Sequence, residues 1–579
     1  MKYENIAFLM FLMFLMFLST ETKAALSFLN SGIISNQNDK SERYNIKKNN
    51  FLSKGEYNET ELQAGHKNEH YEKILLKNIE LIYFKENSVK IRKEKFTEIV
   101  APYINTLVSF DEIKNLSQNL TAALKREGAM LVNVVVPPQD FYNGHVKFNV
   151  YQGRLDKIIL DNNSRVQNNH IIKIAERYLK KGEVIKTKEF DRLAHILNEL
   201  PGFEGNITLY PGEFQGTSSV YIKSADIINH GGYIQFDNYG NDAIGKERYH
   251  IGGYIYSPFK VGDKLTFNVA GSADKGELSN GAVQYTATPT SYGLQPWIKA
   301  SRLDYKYFYM DSRFQGYANS IELGVTYPIY RSNHLYTDIV SGIEYSEMVD
   351  NYSSFFSFAG KKGRKQYNDI YINLESNINF NSYGYTYFNL GATLGKMSYK
   401  DKASVFWNGS DIRETDKHKV ILNYELAYNL PLVKDYLLSV RTSGLFANGN
   451  LDATQKLIVG GVNGVRGFSG DKHFLDTGNV ISSELSRNFQ NIGNGISANL
   501  NIFYDFATGN INRNNKIKSG NVIDVKNKQK LSSIGIGGSI YRDNTGTLSI
   551  QWAKPLTISN TQYESKLKNK FWISYTKNF

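Results

Sequence analysis

The sequence predicts a mainly β protein, an about 16-stranded transmembrane β-barrel preceded by two small α/β units. Three observations predict it. Roughly 350 residues from position 231 onward read as strand after strand, with no helical period among them. Tyrosine and phenylalanine number 40 and 33 against only 11 prolines, a density that aromatic girdles at two membrane interfaces explain better than a globular core. The N-terminus also carries the marks of an exported chain.

That N-terminus has a charged start at Lys2, thirteen apolar residues from Ile6 to Leu18, then polar residues and a small residue at Ala24. Thirteen residues rise about 20 Å as a helix, short of the ~30 Å hydrocarbon core. Residues 1–24 are therefore expected to be a secretory signal peptide cut after Ala24. No later stretch reaches eighteen unbroken apolar residues, so a spanning chain must close as a β-barrel. The chain has no cysteine, which excludes disulfides, thiolate metal sites and cysteine nucleophiles and suits an oxidising compartment.

Residues 25–74 are polar and rich in Asn, Lys and Glu, and read as a linker with a short helix at 25–34. From 75 to 224 one order of elements occurs twice. The first unit, 75–151, begins with the strand "LKNIELIYF" and a helical stretch near 92–106. A second helix follows, with Ser109 and Glu112 as a capping box, Ile113, Leu116, Leu120 and Leu124 as its apolar stripe and Gly128 as its stop. "MLVNVVVPP" and "HVKFNVYQG" are its closing strands. The second unit, 152–224, runs through the strand "LDKIILDNN", a helix ending at Gly182, a helix with Phe190, Leu193 and Leu197 on one face, and the strands "NITLYPG" and "SSVYIKS". Two β-α-α-β-β units of about 75 residues make an architectural repeat.

The remainder, 225–579, is assigned to the barrel. "KLTFNVA" sets Leu265, Phe267 and Val269 on one face and Thr266 and Asn268 on the other. At ~20 to 24 residues per strand and turn, the region holds about 14 to 18 strands. On the last strand Phe571, Ile573, Tyr575 and Phe579 share one parity, which turns the terminal aromatic to lipid.

Inside this region "GGVNGVRGFSGD" (460–471) packs glycines around Arg466. Alone, it reads as a solvated turn. On "NIFYDFATG", Ile496, Ala498, Leu500, Ile502 and Tyr504 share a face, so Asn499, Asn501 and Asp505 share the other and point into the lumen.

These pieces together resemble the outer-membrane transporters of two-partner secretion (the TpsB family, haemolysin and adhesin secretion type) within the Omp85 superfamily. "VVVPPQDFYNGHVKFNVYQGRL" (134–155) is similar to the family's first POTRA domain, with Pro137, Pro138, Gln139 and Asp140 at the turn before the closing strand. "GGYIQFDNYGNDAIGKERYHIGG" (231–253) looks like the opening barrel hairpin. Val465, Arg466, Gly467 and Phe468 match the tip of the family's inward-folded loop, expected near 455–475. Phe503 and Asp505 match its Phe-x-Asp-x-Gly motif on a facing strand, although Ala507 stands where glycine is expected and Gly509 follows two residues on.

The resemblance implies a pore that recognises a partner exoprotein of haemolysin, adhesin or haem-binding type in the periplasm and exports it to the cell surface. Other partners would be outer-membrane lipids and lipopolysaccharide, and the barrel-assembly machinery, for which Phe579 would serve as the C-terminal signal. Arg466 would hold the loop inside the barrel through a charge-assisted pair with Asp505, worth ~1–3 kcal/mol in an aqueous lumen. A barrel-assembly factor of the same superfamily is the alternative, and a passive porin a more distant one.

No cofactor, metal or nucleic acid is expected. The net charge is +12, yet no helix or loop gathers it into a nucleic-acid footprint. The basic runs "KKGRK" (361–365) and "ESKLKNK" (564–570) lie between strands. The chain holds no His-Glu-x-x-His, Gly-x-Ser-x-Gly or phosphate loop, and its ten histidines show no ligand spacing, so it is not expected to be an enzyme.

Overall fold

The computed structural model describes residues 73–579 except 241–243, 273–276, 291, 310–311, 333, 352–361, 402–403, 405–414, 416, 434, 516–526, 543–544 and 560–566. The expected signal peptide, its cleavage site and the helix at 25–34 lie outside the described residues.

The first α/β unit contains β1 (Ile74–Leu76), β2 (Asn78–Tyr83), α1 (Lys93–Val100), β3 (Thr106–Val108), α2 (Phe110–Arg126), β4 (Val132–Val135) and β5 (His145–Gln152). The single opening strand expected from the sequence is broken at Lys77. β1 pairs antiparallel with β3, whereas β2 pairs parallel with β5, so the chain changes partners there. The first helix is shorter than the expected 92–106 because it ends at Val100 and residues 101–105 turn the chain into β3, with Asn105 at φ +61. α2 starts as expected: the Ser109 amide donates to Glu112 Oε2 at 2.6 Å and the Glu112 amide donates to Ser109 Oγ at 3.3 Å. Ile113, Leu116, Leu120 and Leu124 are buried against Val134, Val146, Phe148 and Val150.

Pro137 and Pro138 end β4 because neither can donate to a ladder. The Gln139 side chain replaces the missing rung. Its Nε2 donates to the Lys147 carbonyl at 2.8 Å and its Oε1 accepts from the Lys147 amide at 2.9 Å. Asp140 is exposed beside it.

The second unit follows the same scheme with β6 (Arg154–Asn162), α3 (Asn168–Tyr178), α4 (Thr187–Asn198), β7 (Gly205–Pro211) and β8 (Thr217–Ser224). The sheet orders are β2-β5-β4 and β6-β8-β7. α3 stops at Tyr178 rather than Gly182. Leu179 is already extended at φ −120, and Gly182, at φ +79, forms the turn beyond. Phe190, Leu193 and Leu197 are buried in the unit's core.

Among the described residues sixteen antiparallel strands then form a closed barrel, from β9 (His230–Asp237) to β26 (Lys570–Asn578) with β20 (Leu457–Ile458) and β21 (Phe474–Leu475) outside it, and β26 pairs back onto β9. Side chains alternate as a membrane barrel requires. On β24 (Lys528–Arg542), Ile534, Ile536 and Ile540 are 47%, 57% and 54% exposed, the arrangement of a lipid-facing surface. The terminal Phe579 closes the seam through two backbone hydrogen bonds with Gly232, 2.9 and 3.0 Å, while its ring stays exposed.

The second α/β unit docks at one mouth of the barrel. Arg331 pairs with Glu199, which caps the C-terminus of α4, and with Asp338, and Arg177 of α3 lies over the Tyr292 ring. Ser257 Oγ donates to the Pro201 carbonyl at 2.6 Å.

Candidate functional site

Between β19 (Tyr436–Ala447) and β22 (Thr477–Gly493) the chain leaves the wall and folds into the lumen. This lid carries the short strands β20 (Leu457–Ile458) and β21 (Phe474–Leu475), which pair with each other. Two features of sequence allow it to reach the wall. Gly467 has no side chain where an added Cβ would meet Ser533 Cβ at 2.7 Å and Pro555 Cα at 3.0 Å. Val465 and Phe468 flank Arg466 and pack, wholly buried, against inward-facing Val480, Ala507 and Leu531. Apolar residues thus occupy lumen-facing positions where the lid rests, and there the polar-in alternation is broken. Ala507 lies within this contact. The tight backbone approach occurs at Gly509, where an added Cβ would meet the Thr477 carbonyl oxygen at 2.2 Å.

Arg466 is 5% exposed and Asp505, on β23 (Ile496–Asn510), is 0% exposed. Arg466 Nη2 donates to Asp505 Oδ1 at 2.7 Å and Nε to Oδ2 at 2.9 Å, a bidentate fork; the Arg466 amide adds a third bond to Oδ2 at 3.0 Å. The remaining donors are also used. Nη1 reaches Glu484 Oε2 at 3.0 Å and Nη2 reaches Ser482 Oγ at 2.9 Å, both on β22. Asp505 further accepts from Ser482 at 2.8 Å and Ser533 at 3.2 Å. The Arg466 carbonyl accepts from Trp572 Nε1 on β26 at 2.8 Å.

The guanidinium lies 3.3 Å from the centroid of the Phe503 ring, in cation–π contact. Phe503 can lie flat because its cross-strand neighbour is Gly535, where an added Cβ would meet the ring at 2.3 Å.

Val465, Arg466, Gly467, Phe468, Phe503 and Asp505 therefore come together. Pro137, Pro138, Gln139 and Asp140 lie apart in the first α/β unit, and Phe579 lies at the barrel seam. Two parts of the site go beyond the sequence reading. The pair is dry rather than solvated, because Val465 and Phe468 seal it. Glu484, Ser482, Ser533 and Trp572 complete it, and the alternation of β22, β24 and β26 carries their inward parity. Beyond the lid a cavity of about 2810 Å³, lined among others by Lys299, Glu322, Asp369, Glu425 and Arg441, runs to Glu199 and Gly202 of the second α/β unit. Among the described residues no cluster of metal-ligating side chains occurs.

A closed sixteen-stranded barrel, an inward-folded Val-Arg-Gly-Phe loop held by a wall aspartate, and α/β units at one mouth define an outer-membrane POTRA–barrel transporter of the Omp85 superfamily. Residues 77–153 match the POTRA domain, ShlB-type, and residues 216–537 match the haemolysin secretion/activation protein family ShlB/FhaC/HecB. The chain belongs to that family, the two-partner secretion transporters, which export partner exoproteins across the outer membrane. The chain is 23% identical over 512 residues to the Heme/hemopexin transporter protein HuxB of Haemophilus influenzae, covering 88% of this chain and 87% of that one. Its fold matches the solved structures of CdiB from Escherichia coli (TM-score 0.72, 15% identity) and CdiB from Acinetobacter baumannii (TM-score 0.68, 16% identity). Each match covers 96% of this chain and all of the other. The barrel sits in the outer membrane, with its POTRA domains in the periplasm.

Proposed function

We propose that the lid is the gate of this export pore and that Arg466 and Asp505 are its closing contact. One observation carries the reading: a fully engaged, dry Arg–carboxylate pair joins a loop that crosses the lumen to a wall that would otherwise stay open. A buried ion pair gains little over the same two groups in water. It therefore holds a directional closed state without making that state permanent.

The exoprotein binds the POTRA units on the periplasmic side, and export is driven by its folding outside, with no catalytic step in the transporter. The cargo is a single large exoprotein of haemolysin, adhesin or haem-binding type. Lipopolysaccharide surrounds the barrel, and Phe579 is read by the assembly machinery during insertion. The test is loss of one exoprotein from the culture medium when this gene is deleted. Restoration by the parent chain and not by Asp505→Ala is the expected result; full restoration by Asp505→Ala would refute the gate.

A further inference from the structure

The lid is fixed at a second place on the wall. β16 (Lys362–Asn379) lies five strands round the barrel from β23, which carries Asp505, and eight from β26, whose Trp572 holds the Arg466 carbonyl. Lys365 of β16 is 4% exposed and Asp452 of the lid is 1% exposed. Lys365 Nζ donates to both Asp452 oxygens, at 2.8 and 3.1 Å. Tyr399 Oη, on β17 (Tyr385–Tyr399), reaches the same carboxylate at 3.4 Å. The Thr454 amide donates to Asp452 Oδ1 at 3.1 Å, an Asx-type turn that orients the carboxylate before it meets the wall.

A neighbouring contact fixes the same limb. Gln455 Nε2 donates to Asp369 Oδ2 at 3.0 Å, and Asp369 is held in turn by Lys419 at 2.8 Å. Lys419, on β18 (His418–Pro431), reaches Asp369 across β17 over Gly395. A Cβ there would meet Lys419 Cε at 2.1 Å and Asp369 Oδ1 at 2.3 Å, so any larger residue would displace the bridge. The wall is thus shaped to present a lysine–aspartate pair to the lid.

Resting on the gate reading above, the geometry points to Asp452 and Lys365 as a second latch, making the lid a bar pinned at two separate places on the barrel wall. The pair is dry while the lid is seated. Both groups regain water when it lifts, so the contact orients the lid and releases it at small net cost. Releasing one side alone leaves the other attached, and the pore then opens only in part. Asp452 and Lys365 act as positioning residues; neither lies at the Arg466 contact.

The test uses the purified full chain in planar bilayers, with heat-modifiable gel migration to report barrel assembly. Asp452→Asn keeps the shape and leaves Lys365 uncompensated in the seated lid. It should raise the occupancy of a partly open conductance level by about tenfold. Arg466→Ala should produce its own partial level. The double variant should reach a larger conductance that neither single variant visits. The exchange Lys365→Asp with Asp452→Lys should restore low conductance even where a single variant assembles poorly. Asp452→Asn with parental conductance, or a double variant indistinguishable from Arg466→Ala, would overturn the second latch. These channel measurements use no cargo. A parent chain that secretes no exoprotein would instead count against the export reading and leave the latch result standing by itself.

Discussion

Replacing Arg466 by alanine gives the sharpest test of the gate. The substitution removes the fork on Asp505, the contact to Glu484 and the stack on Phe503, and it leaves a carboxylate that is 0% exposed. Truncating one partner of a buried pair costs about 3–5 kcal/mol. Ser482, Ser533 and the residue 466 amide still serve Asp505, which places the loss near ~3 kcal/mol. That is roughly a hundredfold in the ratio of seated to released lid, enough to bring a lid side released ~1% of the time to about half. Bilayer conductance and exoprotein secretion are the assays, with gel migration confirming an assembled barrel. Asp505→Ala should behave similarly. The double variant should be no worse than either single, because removing both groups leaves no buried charge alone. Arg466→Lys should restore little, since an ammonium cannot reproduce the fork. Parental conductance in Arg466→Ala, or strictly additive defects in the double variant, would refute the pairing; loss of the folded barrel would assign the arginine to assembly.

N-terminal sequencing of the outer-membrane protein should begin at Ala25, and retention of Met1 would refute cleavage. A fragment covering 75–224 should fold alone, as both units have buried cores of their own, and should bind the N-terminal segment of the exoprotein; a disordered circular dichroism spectrum would refute the first part and absence of binding the second. Docking of the second α/β unit should weaken in acid. Burial lowers the pKa of His195, outweighing Glu199 and Asp191 and aided by Arg331; it also lowers that of His170, aided by Lys173 and against Asp263. His170 Nε2 lies 2.8 Å from Thr288 Oγ1, and the His195 ring stands edge-on to Tyr336, both across the barrel contact. Undocked, each would titrate near ~6.5, so the docked state is favoured fully above that pH and loses stability as pH falls below it. Limited proteolysis of the 225–229 connection should accelerate below about pH 6.5. His170→Asn with His195→Gln should flatten the response; an unchanged pH profile in that variant would refute the assignment.

Local periodicity made the strands and helices legible, and also the lumen-facing aspartate. Asn499, Asn501 and Asp505 share a parity that follows from the two-residue repeat of one strand. The capping box at Ser109 and the stripe through Leu124 are equally local. What the sequence left hidden depends on partners far away in the chain. The break at Lys77 arises because β3, thirty residues on, competes for β1. The dryness of Arg466 depends on Val480, Ala507 and Leu531 lying inward, and their apolar character reads as an irregularity until the lid is seen resting on them. Asp452 gives no sign at all in isolation: a short acidic residue in a polar loop, 87 positions from Lys365.

The lid is built from two kinds of contact. Apolar packing by Val465, Phe468 and Leu475 places the loop in the lumen but has no directional preference. Such packing alone would let the loop settle in several positions. Arg466 and Asp452 supply direction, each matched to a wall carboxylate or lysine in a single geometry. Because both charges are desolvated when seated, they cost nearly what they return, and the closed state owes its depth to the apolar surface. A variant that weakens only that surface should therefore differ in kind from a latch variant. Phe468→Ala removes a wholly buried ring and should cost about 3–5 kcal/mol of lid seating, with Arg466 and Asp505 still able to pair. It should lengthen open events and broaden the range of conductance levels, whereas Asp505→Ala should raise opening frequency among a few discrete levels. Identical level distributions for the two variants would mean that packing and pairing are one cooperative unit, and that the direction of the lid is set by its shape alone.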